Sequence, residues 1–282
     1  MRRLALAWVT VVALALPCRA EEAPRPLWEY GLAGGYLSWP EYLGSDVHLR
    51  AGLALPYFTY RGERFRAGRD GARGVLISRD RFSLDVGFGI DLPVSAREGS
   101  AREGMPSLPI TGELGPRAQV ALYHGLKTTV TLRAPFRWAF DTDGHNVGWI
   151  ADPDLLIGGE AFYDGLSAYV DFGAKIASAS YGATYYGVAP AYATADRRVY
   201  EAREGLHALY ATLGMRIAFD EDWTAGFYGK YSDMSAGVVA DSPLVRRPTD
   251  TAFGVWFTWR IGRSEADEER EGVIDIIETD GR

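Results

Sequence analysis

Apolar and polar residues alternate along most of the chain after residue 28. In the stretch FSLDVGFGIDLPV, every second position from Phe82 to Val94 is apolar. A period of two predicts a β-strand with one apolar and one polar face. The same alternation recurs in segments 47–57, 108–122, 126–140, 166–176, 209–219 and 251–261, and less regularly in 28–38, 64–78, 147–163 and 223–231.

The connections between these segments fall into two length classes. Short polar turns occupy 61–62, 79–81, 124–125, 164–165 and 220–222, whereas longer links occupy 39–46, 96–107, 141–146, 180–205 and 236–250. Short turns at one rim and long loops at the other are typical of an outer-membrane barrel.

The apolar faces carry the features expected of a surface in contact with lipid. Aromatic residues stand near the ends of apolar strands, as in an interfacial girdle: Trp28, Tyr57, Trp138, Trp223 and Trp259. Charges of both signs stay on the polar faces, and a charge facing lipid near the bilayer midplane costs about 2–4 kcal/mol. We therefore predict an all-β fold: a single antiparallel transmembrane β-barrel of the bacterial outer membrane over 28–261. A secreted soluble barrel or sandwich is the alternative, because it alternates equally well.

The number of strands follows from a parity argument. Eleven segments alternate, but bacterial barrels have an even number of strands. Either the link 180–205 hides a strand or the segment 64–78 contains two. We predict about twelve strands, with ten as the alternative.

The N-terminus has the pattern of an export signal. Arg2 and Arg3 precede an apolar run, and Cys18-Arg19-Ala20 predicts cleavage after Ala20. The leader would be 1–20, followed by an N-terminal lead at 21–27. A lipoprotein signal with Cys18 as the lipidated residue is the alternative. Cleavage after Ala20 would remove the only cysteine and change the net charge from −7 to −10, which gives a nucleic-acid partner no support.

Charged residues on the polar faces are predicted to line the lumen. The bases are Arg50, Arg117, Lys127, Arg133, Arg137, Lys175, Arg216, Lys230 and Arg260, and the acids are Asp85, Asp91, Glu113, Asp152, Asp154, Glu160 and Asp171. The two signs nearly balance, which favours a narrow or plugged lumen over a strongly ion-selective channel.

No residue pattern points to an enzyme, a cofactor or a metal. The four histidines, His48, His124, His145 and His207, show no metal-ligand spacing. The segment DTDGHN at 141–146 resembles half of a calcium loop but lacks the closing glutamate, so a turn-rich outer loop is the simpler interpretation. An outer-membrane hydrolase would require an outward-facing His207 beside a serine, and no serine can be paired with it.

Five short motifs resemble a known family. They are PEYLGSD at 40–46, LPYFTYRGERF at 55–65, ELGPRAQV at 113–120, YYGV at 185–188 and ADSPLVRR at 240–247. In this order they are similar to the MipA/OmpV family of MltA-interacting outer-membrane proteins. The positions that carry the similarity include Tyr42, Gly44, Ser45, Tyr57, Tyr60, Arg61, Gly62, Asp241, Ser242 and Pro243.

The resemblance implies a barrel in outer-membrane lipid that acts as a non-catalytic scaffold. Its expected partners are a lytic transglycosylase and a bifunctional peptidoglycan synthase. Porin-like and adhesive roles occur among other members, so a small-solute channel is the alternative. It implies no catalytic residues, and the oligomeric state stays open.

The C-terminus departs from the usual ending of such barrels on an aromatic residue. An acidic tail at 262–282 follows instead, with eight acids and three bases after Gly262, a net charge of −5. A solvated periplasmic tail is the expectation, and a docking peptide around GVIDIIE is the alternative.

Overall fold

The computed structural model describes residues 26–68, 71–160 and 165–265. The expected leader at 1–20 and nearly all of the lead and the acidic tail lie outside the described residues. The described strand segments are β1 (Trp28–Pro40), β2 (His48–Arg61), β3 (Phe65–Gly68), β4 (Gly71–Arg79), β5 (Phe82–Asp91), β6 (Thr111–His124), β7 (Thr128–Asp141), β8 (Asn146–Ala151), β9 (Asp154–Glu160), β10 (Leu166–Ala177), β11 (Gly205–Ala218), β12 (Trp223–Asp233) and β13 (Thr249–Arg263). Helix α1 (Ala179–Tyr186) and a 3₁₀ turn at Pro190–Tyr192 lie between β10 and β11.

The strands close into one antiparallel barrel. Each pairs with its neighbours along the chain, and β1 closes the ring on β13. Segments β8 and β9 form one wall strand interrupted at 152–153, because both pair with β7 and with β10. Twelve wall strands result within the described residues, so the prediction of twelve is confirmed and ten is wrong.

The parity question is settled by the segment 64–78. Gly68 pairs with Gly71, so the chain reverses there and the segment supplies both β3 and β4. The link 180–205 supplies helix α1 instead of a strand. Ser178 starts this helix by accepting a hydrogen bond from the backbone N–H of Tyr181 at 3.2 Å.

The barrel has two unlike rims. The turn rim carries the short connections after β2, β4, β6, β9 and β11, and both ends of the described barrel lie there. The loop rim carries the long connections after β1, β5, β10 and β12. The predicted asymmetry is therefore present. There are two exceptions: the connection after β7 has only four residues (142–145), although the sequence prediction placed 141–146 among the longer links, and the reversal between β3 and β4 is short because β3 has only four residues.

Large apolar side chains cover the outside of the barrel. Phe253, Val255, Phe257 and Trp259 of β13 are 41–45% exposed, and the same row continues through β1 and β2. A soluble sandwich would bury such a face, so this alternative is excluded. The apolar face of the stretch 82–94 likewise points outward, with Ile90 60% exposed. Within the described ranges, no helix has the length and apolarity to cross a bilayer.

Inward-facing aromatic rings lie over glycines of neighbouring strands. A Cβ atom on Gly214 would come within 2.0 Å of the Tyr169 ring, and one on Gly226 within 2.1 Å of the Trp256 ring. The pairing register places each ring beside the glycine that it covers. The absence of a side chain at these glycines therefore lets bulky aromatic residues lie flat inside the wall.

The buried core lies at the loop rim. Residues 41–47, 92–110, 178–204 and 234–248, here called the loop cap, meet over the barrel. Their core includes Tyr42, Val94, Tyr181, Tyr185, Tyr186, Met234, Val239 and Leu244. Val94 is only 1% exposed, although the alternation places it with the lipid-facing residues. It differs because the chain leaves the sheet after Asp91.

The two faces of strand β2 are the reverse of the sequence prediction, because the face predicted to contact lipid points into the barrel. Its partners on β1 place Arg50 beside Ser38 and Gly52 beside the outward Tyr36, so His48 and Arg50 lie on the outward row. Leu53 and Leu55, predicted to face lipid, lie on the inward row with Gly35 and Ala33. Alternation shows that two faces differ, but only the register shows which face is outside.

Candidate functional site: the loop cap and the lumen

Two of the five motifs that resemble the family, PEYLGSD at 40–46 and ADSPLVRR at 240–247, meet in the loop cap. They are about 200 residues apart in the chain. Tyr42 donates its hydroxyl hydrogen to the carbonyl oxygen of Leu244 at 2.9 Å. Gly44 donates its N–H to Asp250 at 2.5 Å, and its carbonyl oxygen accepts from the N–H groups of Arg246 and Arg247. Burial raises the pKa of Tyr42 to about 12, so its hydroxyl stays a donor at neutral pH.

A third motif joins them through Ser242. Its hydroxyl donates to the carbonyl oxygen of Tyr186 at 2.6 Å, and its Oγ accepts from the Leu244 N–H at 3.2 Å. Ser45 is 1% exposed, and its Oγ accepts from the Val47 N–H at 3.0 Å. Three motifs therefore form one hydrogen-bonded unit. Asp241 and Pro243 flank Ser242 in the same loop.

Two arginines that the sequence reasoning missed hold the cap loops together. Arg102 donates to the carbonyl oxygens of Tyr185 at 3.1 Å and of Thr184 and Pro106 at 3.3 Å. Arg197 donates to those of Ala101, Glu103 and Tyr192 at 2.7–3.0 Å. Both guanidinium groups donate to backbone carbonyl oxygens. They thereby connect the cap loops 92–110 and 178–204, which do not pair with each other as β-strands. The sequence around Arg102 and Arg197 does not differ from that around an exposed arginine, so no sequence pattern predicts that these two are buried.

His207 is inside the cap and does not face outward. It is 0% exposed, and its ring centroid lies 5.5 Å from that of Tyr186 and 6.1 Å from that of Tyr181. A Cβ atom on Gly182 would be 3.5 Å from the His207 ring, so α1 packs directly on it. Neither ring nitrogen has a hydrogen-bond partner among the described residues. The outward-facing His207 that an outer-membrane hydrolase would require is therefore not found at this position.

Below the cap, the acids and bases of β5–β10 form buried pairs. Arg117 binds Asp85 through two guanidinium nitrogens at 2.9–3.3 Å. Gln119, which the sequence reasoning did not select, donates to Asp85 at 3.1 Å and to Ser83 at 3.2 Å. Because β5 and β6 pair in register, Asp85 stands directly opposite Arg117.

The next two pairs involve the interrupted strand. Arg137 donates from Nε to Glu113 at 2.6 Å and from Nη2 to Asp152. Arg133 donates from Nε to Asp154 at 2.6 Å, and its Nη2 lies 3.6 Å from a carboxylate oxygen of Asp171. Asp152 stands in the irregular step between β8 and β9, which brings it within reach of Arg137.

Three further predicted lumen residues lie on inward rows near the cap. Lys230 places its Nζ 3.9 Å from the centre of the Tyr210 ring, and Lys175 places its Nζ 5.4 Å from that of Tyr181. Asp91, at the end of β5, accepts from the hydroxyl of Tyr185 at 3.5 Å. The contacts of Lys175 with Tyr181 and of Asp91 with Tyr185 link the lumen wall to helix α1.

A separate charge cluster lies at the turn rim. Glu29 contacts Arg61 at 2.6 Å and Arg260 at 3.3 Å, and Arg260 also reaches Asp222 at 3.4 Å. Glu29 was not selected from the sequence. Arg216 lies on an inward row nearby and donates to Thr224 at 3.5 Å. Glu160 ends β9 opposite Ser167.

Two predicted lumen residues lie elsewhere. Arg50 is on the outward row of β2, as the register with β1 requires. Lys127 is exposed in the turn between β6 and β7, outside both strands. The sequence prediction continued the strand alternation through this turn and so assigned Lys127 to the lumen-facing side of a strand, although Lys127 lies in no strand.

The remaining motif residues shape the turn after β2. The ring of Tyr57 lies over Gly31, and that of Tyr60 has its centroid 6.2 Å from that of Phe65. A Cβ atom on Gly62 would come within 2.6 Å of the Tyr60 ring. The tight contact explains a glycine at this position.

The loop at 141–146 brings three polar side chains together. Potential ligand atoms of Asp141, Asp143 and His145 lie within 4.8 Å of one another. Asp141 also accepts from the N–H groups of Asp143 at 3.0 Å and His145 at 2.8 Å, which is the bonding of an Asx-type turn.

Several charged side chains of the lumen wall are buried below the cap. Arg137, Glu113, Asp85, Asp154 and Asp171 are each 3–7% exposed, so little water surrounds them. The cap covers them with its aromatic core. Within the described ranges, the fully buried histidine has no serine hydrogen-bonded to it, and the carboxylates near the lumen bases are engaged with arginines.

Three solved structures have a similar course of the chain. The translocator domain of the autotransporter NalP from Neisseria meningitidis is 10% identical, covers 85% of this chain and 90% of its own, and has a TM-score of 0.44. The KdgM porin is 11% identical, with coverages of 80% and 98% and a TM-score of 0.36. OmpT of Vibrio cholerae is 9% identical, with coverages of 86% and 100% and a TM-score of 0.36. At these values they say nothing about what this chain does.

The family comparison is more direct. No curated protein matches the sequence. The family model described as MltA-interacting protein MipA matches residues 32–261, which include all or most of every wall strand of the barrel and the whole loop cap. The chain therefore belongs to the family of the MltA-interacting protein MipA and is an outer-membrane β-barrel.

Proposed function

We propose that the protein is a non-catalytic scaffold that holds peptidoglycan-remodelling enzymes beneath the outer membrane. The partners would be a lytic transglycosylase, as the family description suggests, and a bifunctional peptidoglycan synthase. The supporting observation is the loop cap, in which three distant motifs and two buried arginines bind one another. A sealed loop rim suits an anchor better than a pore.

The turn rim is the surface that this role would use. Short turns of such barrels face the periplasm, where the peptidoglycan lies. The proposed leader at 1–20 would direct the chain there. Arg64, Arg79 and Arg81 are exposed in the turns after β2 and β4, whereas Asp220 and Glu221 are exposed in the turn after β11. An acidic patch on a partner would fit the basic side of this rim.

The test is capture of defined partners by charge-reversed variants. Arg64→Glu with Arg81→Glu should reduce recovery of the transglycosylase and the synthase from crosslinked cells by about tenfold, which corresponds to roughly 1.4 kcal/mol. Immunoblots for the two enzymes measure the recovery. The matched control, Arg203→Glu with Arg246→Glu, reverses two exposed arginines at the loop rim and should leave capture unchanged. Absence of both enzymes from the wild-type capture would refute the scaffold, and equal capture by all three proteins would refute docking at the basic turns.

A small-solute channel is the second candidate. One observation favours it: inward-facing Leu53, Leu55 and Arg216 are exposed, so the interior is less filled beside β1 and β2 than beside β6. Reproducible single-channel steps of the purified barrel in a planar bilayer would support the channel instead of the scaffold.

A further inference from the structure

Among the described residues, the pairing of the barrel wall is incomplete between β2 and β5. The described ladder between β2 and β3 contains only Tyr60 with Ala67 and Arg61 with Arg66. On the other side, β4 pairs with β5 only as far as Gly87. The hairpin tip at Gly71 reaches Phe88 of β5, where a Cβ atom would lie 3.0 Å from the Phe88 carbonyl oxygen, but the last pair on the β2 side is Tyr60 with Ala67, near the turn rim. Above it, β2 from residue 48 to 56 has a described ladder partner only on its β1 side.

This notch lies within the lipid-facing band. On its outer side, Phe58 of β2 is 57% exposed, and Phe88 and Ile90 of β5 are 49% and 60% exposed. Between Phe58 and Arg50, the outward residues of β2 are Pro56, Ala54 and Gly52, which add little bulk. The notch is therefore continuous with the surface that already contacts lipid.

The inner side of the notch is apolar. Leu53 and Leu55 face inward and are nevertheless 45% and 56% exposed. In the pairing rows, Leu53 stands beside Gly35 and Trp256, and Leu55 beside Ala33 and Thr258. Small residues at 33 and 35 leave room in front of the two leucines. Exposed leucines in a water-filled lumen are unfavourable, so the niche calls for an apolar occupant.

We infer that an acyl chain of a lipid from the surrounding membrane enters through this notch and lies against Leu53, Leu55 and Ala33. The bound group is apolar because these side chains offer no charge and no hydrogen-bonding group. Entry is sideways from the bilayer because the notch opens in the membrane-facing wall below the cap. This site differs from the turn rim, so its test does not depend on partner capture.

Spin-label accessibility tests the entry route. In a Cys18→Ser background the chain has no other cysteine, so Leu55→Cys can be labelled alone in refolded protein in phospholipid vesicles. We expect frequent collisions with oxygen and few with a water-soluble nickel chelate. Phe257→Cys is the lipid-facing reference and Arg216→Cys the lumen reference. Collisions at residue 55 that match residue 216, or an absence of both kinds, would overturn the proposal.

Lipid retention tests the occupancy. Native mass spectrometry of the folded, detergent-exchanged protein should show one retained phospholipid, and Ala33→Phe should lose it by filling the niche. Gly34→Phe adds the same ring at the adjacent outward position and should retain the lipid. Heat-modifiable migration on gels shows that both variants fold. Equal lipid retention by both variants, or no retained lipid in the wild type, would contradict an acyl-chain site.

Discussion

At the scale of single residues, the buried charges of the lumen are organised around arginines. Arg137 is 6% exposed and holds the carboxylates of Glu113 and Asp152 at once. Removal of one partner from such a group leaves the others buried and uncompensated, which costs more than the intact group contributes. Arg137 therefore stabilises the fold mainly by neutralising the buried carboxylates of Glu113 and Asp152.

Arg137→Met is expected to lower the free energy of unfolding by about 3–5 kcal/mol. Urea unfolding in phospholipid vesicles, followed by tryptophan fluorescence, measures this. Arg64→Met at the exposed turn rim should change the free energy by less than about 0.5 kcal/mol. Adding Glu113→Gln and Asp152→Asn to Arg137→Met should restore much of the loss, and a failure to do so would argue against charge compensation.

The raised pKa of Tyr42 predicts how the stability of the folded protein changes at alkaline pH. Its pKa is about 12 in the folded protein because burial disfavours the phenolate, against about 10 in an unfolded chain. The folded state thus holds this proton more tightly, so the stability from the neutral hydroxyl is complete below pH 10. It declines as the pH rises from about 10 to about 12.

The comparison of wild type with Tyr42→Phe isolates this effect. The difference in unfolding free energy between the two proteins should be constant up to about pH 10 and should shrink above it. Urea unfolding at a series of pH values measures the difference. A difference that does not depend on pH would mean that Tyr42 does not titrate with the cap.

At the scale of elements, the cap loops depend on tight backbone geometry. Gly44 has φ of +88°, and a Cβ atom there would lie 3.0 Å from Val245 and 3.1 Å from Met234. A side chain at this position is strained by its backbone conformation as well as by these contacts.

Gly44→Ala should therefore weaken the cap without opening the barrel. We expect a loss of about 1–3 kcal/mol, seen as faster cleavage of the loops by thermolysin at unchanged heat-modifiable migration. Gly34→Ala serves as the control, because its added Cβ atom would lie 3.8 Å from the nearest atom. Cleavage of both variants at the wild-type rate would show that Gly44 does not limit cap stability.

The elements also show where pattern reasoning succeeds. Strand β13 alternates Phe253, Val255, Phe257 and Trp259 outward, and both period and orientation follow from the sequence because Arg260 must face inward. In β2 the period is equally clear, but the charges at His48 and Arg50 suggest the wrong face. These two residues stand at the loop-rim end of β2, where the penalty for an outward charge is small.

At the scale of the whole molecule, we expect the cap to decide whether the barrel conducts. The wild-type protein is expected to be silent in a planar bilayer. Arg102→Ala with Arg197→Ala removes the hydrogen bonds that join the cap loops 92–110 and 178–204 and should produce single-channel steps. Arg198→Ala removes an arginine that donates to the Asp241 carbonyl oxygen at an exposed position and should stay silent. Steps in the wild type would assign the protein to the channel class.

The candidate site was predictable only in part. Pairs such as Asp85 with Arg117 and Arg133 with Asp154 were selected as lumen charges, because a charge in a membrane strand must face inward. The cap residues Arg102 and Arg197 were not found, because loops have no period and burial there depends on which loops meet. Glu29 was missed because a single acid beside Trp28 carries no pattern.

The sequence by itself determined the class of this protein. Period-two alternation, strand length, the two classes of connection and the ordered motifs each depend on local chemistry, so a barrel of about twelve strands could be read from them. The tertiary structure alone decided the rest: the face of β2, the short β3 that leaves the notch, and the meeting of motifs 200 residues apart at Tyr42 and Leu244. Register, ring closure and loop packing arise from contacts distant in the chain, and local pattern contains no information about such contacts.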